Sequence, residues 1–343
     1  VLTKTTYRWY FLVLVIALLM FLMLNISVGS VRIPFDDIFA ALTGQEVSKR
    51  SWEVIIWNYR LPKALTALMV GSGLAVSGLL MQTLFRNPLA GPFVLGISSG
   101  ASLGVALFIL GSGLFGGLFS THIFQNSSLA MAASAGSFLV LSGVILAANR
   151  VRNTMSILII GLMFGSLTSS IISILTYFSE ATEIQQYQFW SFGSLGNLSW
   201  KELGVFFGIY SLAMIGTFSV IKPLNSFLLG EYYAKSLGIN IKKSRNIILL
   251  ITSLLTGVIT AFAGPIAFVG LAVPHIAKLL FTSSNHKVLL PAVSILGALV
   301  LLICDTIAQL PNSAFVLPIN AITSLFGAPV VIWLLLRKKK MYV

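Results

Sequence analysis

Side chains able to do acid–base or ionic chemistry are scarce in this chain. Charged residues make up 9% of 343, against about 25% in ordinary soluble domains. His122, His275 and His286 stand far apart in the sequence, and no cluster of metal-ligand types accompanies them. No nucleophile–base–acid set can be assembled from the residues present. Cys304 is the single cysteine, so no disulfide can form within the chain. The G-x-x-x-x-G-K-[ST] phosphate loop is absent, and ATP is therefore not bound through a P-loop of this chain. Asp305 is the only acid inside a long apolar run. Carriers driven by protons or sodium place several ionisable groups within the membrane. A single acid argues for energy supplied from elsewhere, with catalysis excluded.

One polar stretch interrupts the apolar sequence, GEYYAKSLGINIKKSR at 230–245. Leu229, Tyr233 and Leu237 recur at i, i+4 spacing, with Ala234 and Gly238 beside them. Gly238 suits the end of a short helix because glycine enters the left-handed region freely. An amphipathic helix with small residues and a basic end fits a groove on another protein. The same pattern also fits a segment resting on anionic lipid, and both readings stay open on spacing alone.

The elements that carry these residues are membrane helices. The chain is 57% hydrophobic, and its apolar runs approach or exceed the ~20 residues that cross a hydrocarbon core. The expected fold is an all-α polytopic membrane protein, a single transmembrane domain over 1–343. Ten spans are expected: Tyr7–Val28, Leu61–Leu84, Pro92–Leu114, Leu129–Ala148, Met155–Phe178, Leu203–Val220, Ile247–Phe262, Ile266–Phe281, Val288–Gln309 and Leu317–Leu336. Residues 247–281 would be about 52 Å long as one helix, too long for a bilayer. Ala263-Gly264-Pro265 supplies the break.

Between the first two spans, Phe35, Ile38, Phe39 and Leu42 lie at helical spacing opposite Asp36 and Asp37, predicting a short interfacial helix within 29–60. Segment 179–202 is expected to hold another. With the N-terminus in the cytoplasm, 16 of 22 basic residues fall inside, the Arg337–Lys340 tail among them. Seven of nine acids then fall outside. The net charge of +13 is thus mostly topogenic, with both termini cytoplasmic, and nucleic acid is not an expected partner. Gly91-Pro92 opens the third span and Gly264-Pro265 the eighth, 173 residues apart. Opposite orientation at half-chain offset is what a 5+5 inverted repeat produces. Gly96, Gly100 and Gly104, Gly71 with Gly78, and Gly161 with Gly165 form small-residue stripes suited to close helix packing.

The sequence resembles the FecCD/BtuC-like permeases, membrane subunits of bacterial type II ABC importers for iron-siderophores, haem and cobalamin. RLPKALTALMVGSGLAVSGLLMQTLFRNPLAGPFVLGISSGASLG at 60–104, GEYYAKSLGIN at 230–240, AGPIAFVGLAVPHIAKLL at 263–280, HKVLLP at 286–291 and LPINAITSLFGAPVVIWLLL at 317–336 carry the resemblance. It implies ten helices per subunit and a multi-pass location in the bacterial cell membrane. A second permease subunit, two ABC ATPase subunits and a soluble or lipid-anchored binding protein are the implied partners. No cofactor would be bound by this chain, ATP and Mg serving the ATPase. Gly230, Glu231, Tyr233, Ala234, Leu237 and Gly238 would form the ATPase-coupling helix, and Arg60 and Lys63 would dock the binding protein. Asn87, Leu89, Asn153, Thr154 and Met155 would narrow the translocation path. Gln309 stands where some relatives have a third basic docking residue. Val316 and Asn320 flank a Leu-Pro-Ile where relatives often have Glu and Gly.

Overall fold

The protein was analysed as a computed structural model, in which residues 4–111, 126–151, 154–196, 198–310, 313 and 315–336 are described. His122, Arg152, Asn153 and the Arg337–Lys340 tail lie outside them. The chain order is α1 (Lys4–Ser27), α2 (Phe35–Thr43), α3 (Arg50–Ile55), α4 (Leu61–Leu84), α5 (Ile97–Ile109), α6 (Asn126–Arg150), α7 (Thr154–Phe178), α8 (Ala181–Ser191), α9 (Trp200–Ser219), α10 (Ile221–Phe227), α11 (Glu231–Ser236), α12 (Ile241–Ala263), α13 (Val269–Phe281), α14 (His286–Ala308) and α15 (Ile319–Leu336). Among the described residues seven stretches are long and apolar enough to cross a membrane: Tyr7–Ser27, Arg50–Leu84, Ser128–Arg150, Met155–Phe178, Trp200–Ser219, Ile241–Ala263 and His286–Ala308. Ile97–Ile109, Val269–Phe281 and Ile319–Trp333 are shorter apolar helices.

At three helix starts the departure from the sequence expectation has a clear local reason. A π-helical turn, Ile56–Arg60, joins α3 to α4, so the second span continues a helix that starts at Arg50 rather than Leu61. Pro92 opens a 3-10 turn rather than the third span, and α5 starts only after Gly96 turns left-handed at φ 73°. The break at Gly264 occurs as the Gly-Pro pair predicts, with φ 74° there. The chain then runs irregularly until Phe268, itself left-handed at φ 65°, so the next helix starts at Val269 rather than Ile266. The two short helices α5 and α13 are each 13 residues long and each preceded by a left-handed residue.

Packing divides the chain into two compact units. The first comprises Val1–Ala75, Ser194–Val205 and Ile266–Val343. Here α1 lies along α14, α13 and α14 pack together, and α15 lies against both. The N-terminal half of α4 meets α14 where two glycines face each other. A Cβ on Gly71 would come within 2.3 Å of the Gly297 carbonyl oxygen, and one on Gly297 within 2.4 Å of the Gly71 oxygen. No side chain fits between these backbones. Phe281 anchors the other end of α1, its ring 4.9 Å from that of Phe11 and 6.1 Å from that of Tyr7.

The second unit comprises Val76–Gly193 and Phe206–Pro265. Its closest pair is α5 on α6, with α7 against α5 and α12 against both α5 and α6. The glycine stripe predicted from 96, 100 and 104 is used here. A Cβ on Gly136 would sit 2.0 Å from the Gly100 oxygen, and one on Gly104 2.1 Å from that of Ala132. Bilayer hydrocarbon is as apolar as leucine, so such helices associate through close backbone approach and dispersion rather than water release. The surface helix expected in 179–202 is α8, opened by a reciprocal capping box between Glu180 and Glu183.

Helix α2 forms as its spacing predicts, but its faces are used differently. Ile38, Ala41 and Asp37 are buried, and Asp37 accepts a hydrogen bond from the Ser48 amide at 2.8 Å. Phe35, Phe39 and Leu42 stay exposed. The apolar residues thus divide between a protein-facing side and an outward one, because a buried acid with a backbone donor is tolerated on the inner side.

Candidate functional site

The segment 221–241 builds a helix–turn–helix bracket within the second unit. Leu228, Leu229 and Gly230 separate α10 from α11, and Gly230 precedes α11 at φ 107°, ψ 155°. At the other end the Gly238 amide donates to the Lys235 carbonyl and the Ile239 amide to that of Ala234. With Gly238 at φ 79°, this is a Schellman termination. Asn240 immediately caps α12, its Oδ1 accepting from the Lys243 amide at 3.0 Å. The two caps make the bend stiff although α11 is only six residues long.

The bracket's faces are sharply divided. Ala234 is fully buried and seats α11 on the unit, whereas Leu229, Tyr233 and Leu237 are exposed and Tyr232 is 93% exposed. The periodic residues picked out in the sequence therefore form an outward face. A cleft of about 550 Å³ lies beside it, lined by Glu231, Tyr232, Lys235, Ile239, Asn240 and Ile241. Four uncovered large side chains next to an acid and a base make this an exposed apolar patch rather than a core.

Residues 85–90 lie nearby in the same unit. A Cβ on Gly230 would sit 3.7 Å from Arg86 Nη1. Arg86 ends α4 in the left-handed region at φ 47°, a conformation that costs a non-glycine residue about 1–2 kcal/mol. Asn87 follows with an Asx turn, its Oδ1 accepting from the Leu89 amide at 2.9 Å, and leaves Leu89 exposed. Met155, in the first turn of α7, is exposed as well. Asn153 and the side chain of Thr154 lie outside the described residues.

Arg60 and Lys63 sit in the first unit, with partners of their own. Arg60 is 9% exposed. Its Nη1 donates to the carbonyls of Ile26, at 2.7 Å, and Val28, and its Nη2 to that of Val31. The first belongs to the last turn of α1, where carbonyls lack an intrahelical partner, and the other two to the segment that follows it. A Cβ on Gly29 would fall 2.6 Å from Nη2, so glycine there makes room for the guanidinium. Lys63 Nζ lies 3.1 Å from Asp305 Oδ1. Asp305 Oδ2 accepts from Asn25 Nδ2 at 2.9 Å and from Gln309 Nε2 at 2.8 Å. Asn25 also reaches Thr306 Oγ1 at 3.1 Å. One carboxylate thus ties α1, α4 and α14 together. Sequence reasoning named Lys63 and Asp305 separately and missed their pairing, which joins residues 242 positions apart.

The remaining sequence candidates have structural partners. Gln309 and Val316 form an isolated antiparallel bridge. Asn320 Oδ1 accepts from the Ala267 amide at 3.1 Å, holding the irregular lead into α13 against α15. Cys304 is buried and unpaired. Among the described residues no group of three or more His, Cys, Asp or Glu could hold a metal ion.

Many helices of membrane length, joined by a stiff exposed bracket, define a polytopic helical membrane protein. The model of the FecCD transport family matches residues 16–337, and the chain belongs to that family. It is 34% identical over 334 residues to the vitamin B12 import system permease protein BtuC of Shigella boydii serotype 18, covering 97% of this chain and 96% of that protein. The corresponding Klebsiella pneumoniae protein is 36% identical over 333 residues, covering 97% and 94%. A solved structure described as an inward-facing conformation of a metal-chelate type ABC transporter matches with a TM-score of 0.83 at 29% identity. The match covers 96% of this chain and 99% of that one.

Proposed function

We propose that the chain is the permease subunit of an ATP-driven ABC importer that moves a bulky metal chelate into the cytoplasm. The near full-length match to the FecCD transport family carries this reading. Iron-siderophore, haem and cobalamin are the candidate cargoes, and cobalamin is tested first because the similar proteins are vitamin B12 permeases. In this reading the seven long and three shorter apolar helices form ten spans with both termini cytoplasmic. The recurrence of a 13-residue helix behind a left-handed residue in each unit supports the 5+5 repeat.

The bracket is the seat for one of two ATPase subunits, which bind and use ATP and Mg, while this chain binds no cofactor. Gly230, Glu231, Tyr233, Ala234, Leu237 and Gly238 transmit the movement, and exposure of Tyr232 and Tyr233 beside two stiff caps favours that use. A second permease subunit, identical or paralogous, completes the path, narrowed by Asn87, Leu89, Asn153, Thr154 and Met155. A soluble or lipid-anchored binding protein docks at the opposite membrane face through Lys63, with Arg60 fixing the helix end that presents it.

The test is reconstitution of the affinity-purified complex into vesicles, following uptake of cyanocobalamin, a ferric siderophore and haem. ATP-dependent uptake of one of them, with a P-loop ATPase co-purifying near stoichiometrically, is the expected result. Uptake that ignores ATP but collapses with an ion gradient would overturn the reading.

A further inference from the structure

The Lys63 ammonium is already spoken for. Asp305 Oδ1 faces it at 3.1 Å, while Asp305 Oδ2 is held separately by Asn25 and Gln309. The two partners are unequally exposed, 18% for the lysine side chain and 3% for the carboxylate. The lysine stem reaches the cluster past Gly196, where a Cβ would lie 3.6 Å from Lys63 Cδ. The carboxylate is therefore the fixed member and the ammonium, on its flexible stem, the movable one. If the lysine swings away, Asp305 keeps two neutral hydrogen-bond donors, so the carboxylate stays bonded and the lost ion pair is the cost that the incoming anion must exceed.

From this arrangement we propose that Asp305 is a resident competitor for the carboxylate of an acidic docking partner. With no partner present, Lys63 is held by Asp305. An incoming carboxylate of the partner draws the ammonium outward or shares it, so the contact forms by exchange of one anion for another. Such a contact gains less than capture of a free cation, which keeps the association weak and readily reversed. Gln309 belongs to the same device: its neutral amide grips Oδ2 without adding a second cation that would hold the partner. The inference rests on the docking role proposed above for Lys63.

Acetylation of lysine amines by sulfo-NHS-acetate on the purified full chain reads it directly. The rate at Lys63 is followed by mass spectrometry, with exposed Lys201 as the internal reference. In wild type Lys63 should react slowly. In Asp305→Asn the ammonium loses the ion pair that holds it in the cluster, reaches solvent more often and should react about threefold faster or more. Should that variant not fold, Asp305→Ser, whose small side chain leaves room for water beside Asn25 and Gln309, gives the same reading. The acidic probe is a hexaglutamate peptide, expected to protect Lys63 more strongly in the variant than in wild type.

An unchanged Lys63 rate in a folded variant would overturn the competition. Equal protection in wild type and variant would also overturn it while leaving the docking role intact. Protection in neither would remove the docking role itself, and the competition with it.

Discussion

The Lys63–Asp305 cluster and the 230–238 bracket hold much of the polar chemistry of their units, and they are built in opposite ways. At the cluster, charge is turned inward: Arg60 is spent on backbone carbonyls and Lys63 on a buried acid. At the bracket, the end of α11 and the start of α12 are capped while Tyr232, Tyr233 and Leu237 remain uncovered. Satisfied polar groups hold helices in place; unsatisfied apolar area calls for a partner. Removing residues of the cluster should therefore cost stability first, and removing residues of the bracket should cost association first.

The largest effect should come from the scaffold beneath both. Gly136→Leu and Gly297→Leu each push a side chain into space occupied by backbone oxygen, so neither variant should yield a monodisperse protein in detergent. Chromatography checks this, and a well-behaved Gly297→Leu would contradict the contact with Gly71. Next in size is Arg60→Gln, which strands carbonyls at the end of α1. A loss of about 2–3 kcal/mol is expected, seen as a lowered Tm with no new salt dependence of partner binding.

Gly238→Val should have a smaller effect on stability, about 1–2 kcal/mol for a branched residue forced into the left-handed region. Its effect on ATP-driven uptake should be larger in proportion, since the bend that would transmit movement is distorted. The mildest variant for the fold is Tyr232→Ala, within about 0.5 kcal/mol of wild type as expected of an exposed position, yet it should weaken ATPase co-purification. If Tyr232→Ala lowered Tm as much as Arg60→Gln, the contrast between the two regions would fail.

Much of the architecture was legible in the residues because each local rule acts over a few positions. The Gly264-Pro265 break, the end of α11 at Gly238, the surface helix in 179–202 and the glycine stripe at 100 and 104 all follow from spacing and backbone freedom. The left-handed turn at Phe268 was not legible, since phenylalanine gives no signal for it. It is held by close packing, Gly327 being so near that a Cβ there would sit 2.3 Å from Phe268 Cβ. Which residues of α2 the protein covers was not legible for a related reason. Hydrophobic periodicity gathers Phe35, Ile38, Phe39 and Leu42 on one stripe, but only the neighbouring chain decides which part of it is covered.

By itself, then, the sequence determined that this is a membrane protein of apolar helices that carries no P-loop motif, and that one polar bracket interrupts them. Length, charge scarcity and glycine placement suffice for that, because a bilayer core leaves backbone few alternatives to the helix. Only the tertiary structure decided where the charges point. Arg60 and Lys63 both stand near the start of α4, and nothing local separates them. Arg60 turns to carbonyls in the last turn of α1 and the segment after it, while Lys63 turns to Asp305, 242 residues away, because a buried carboxylate needs a cation within reach.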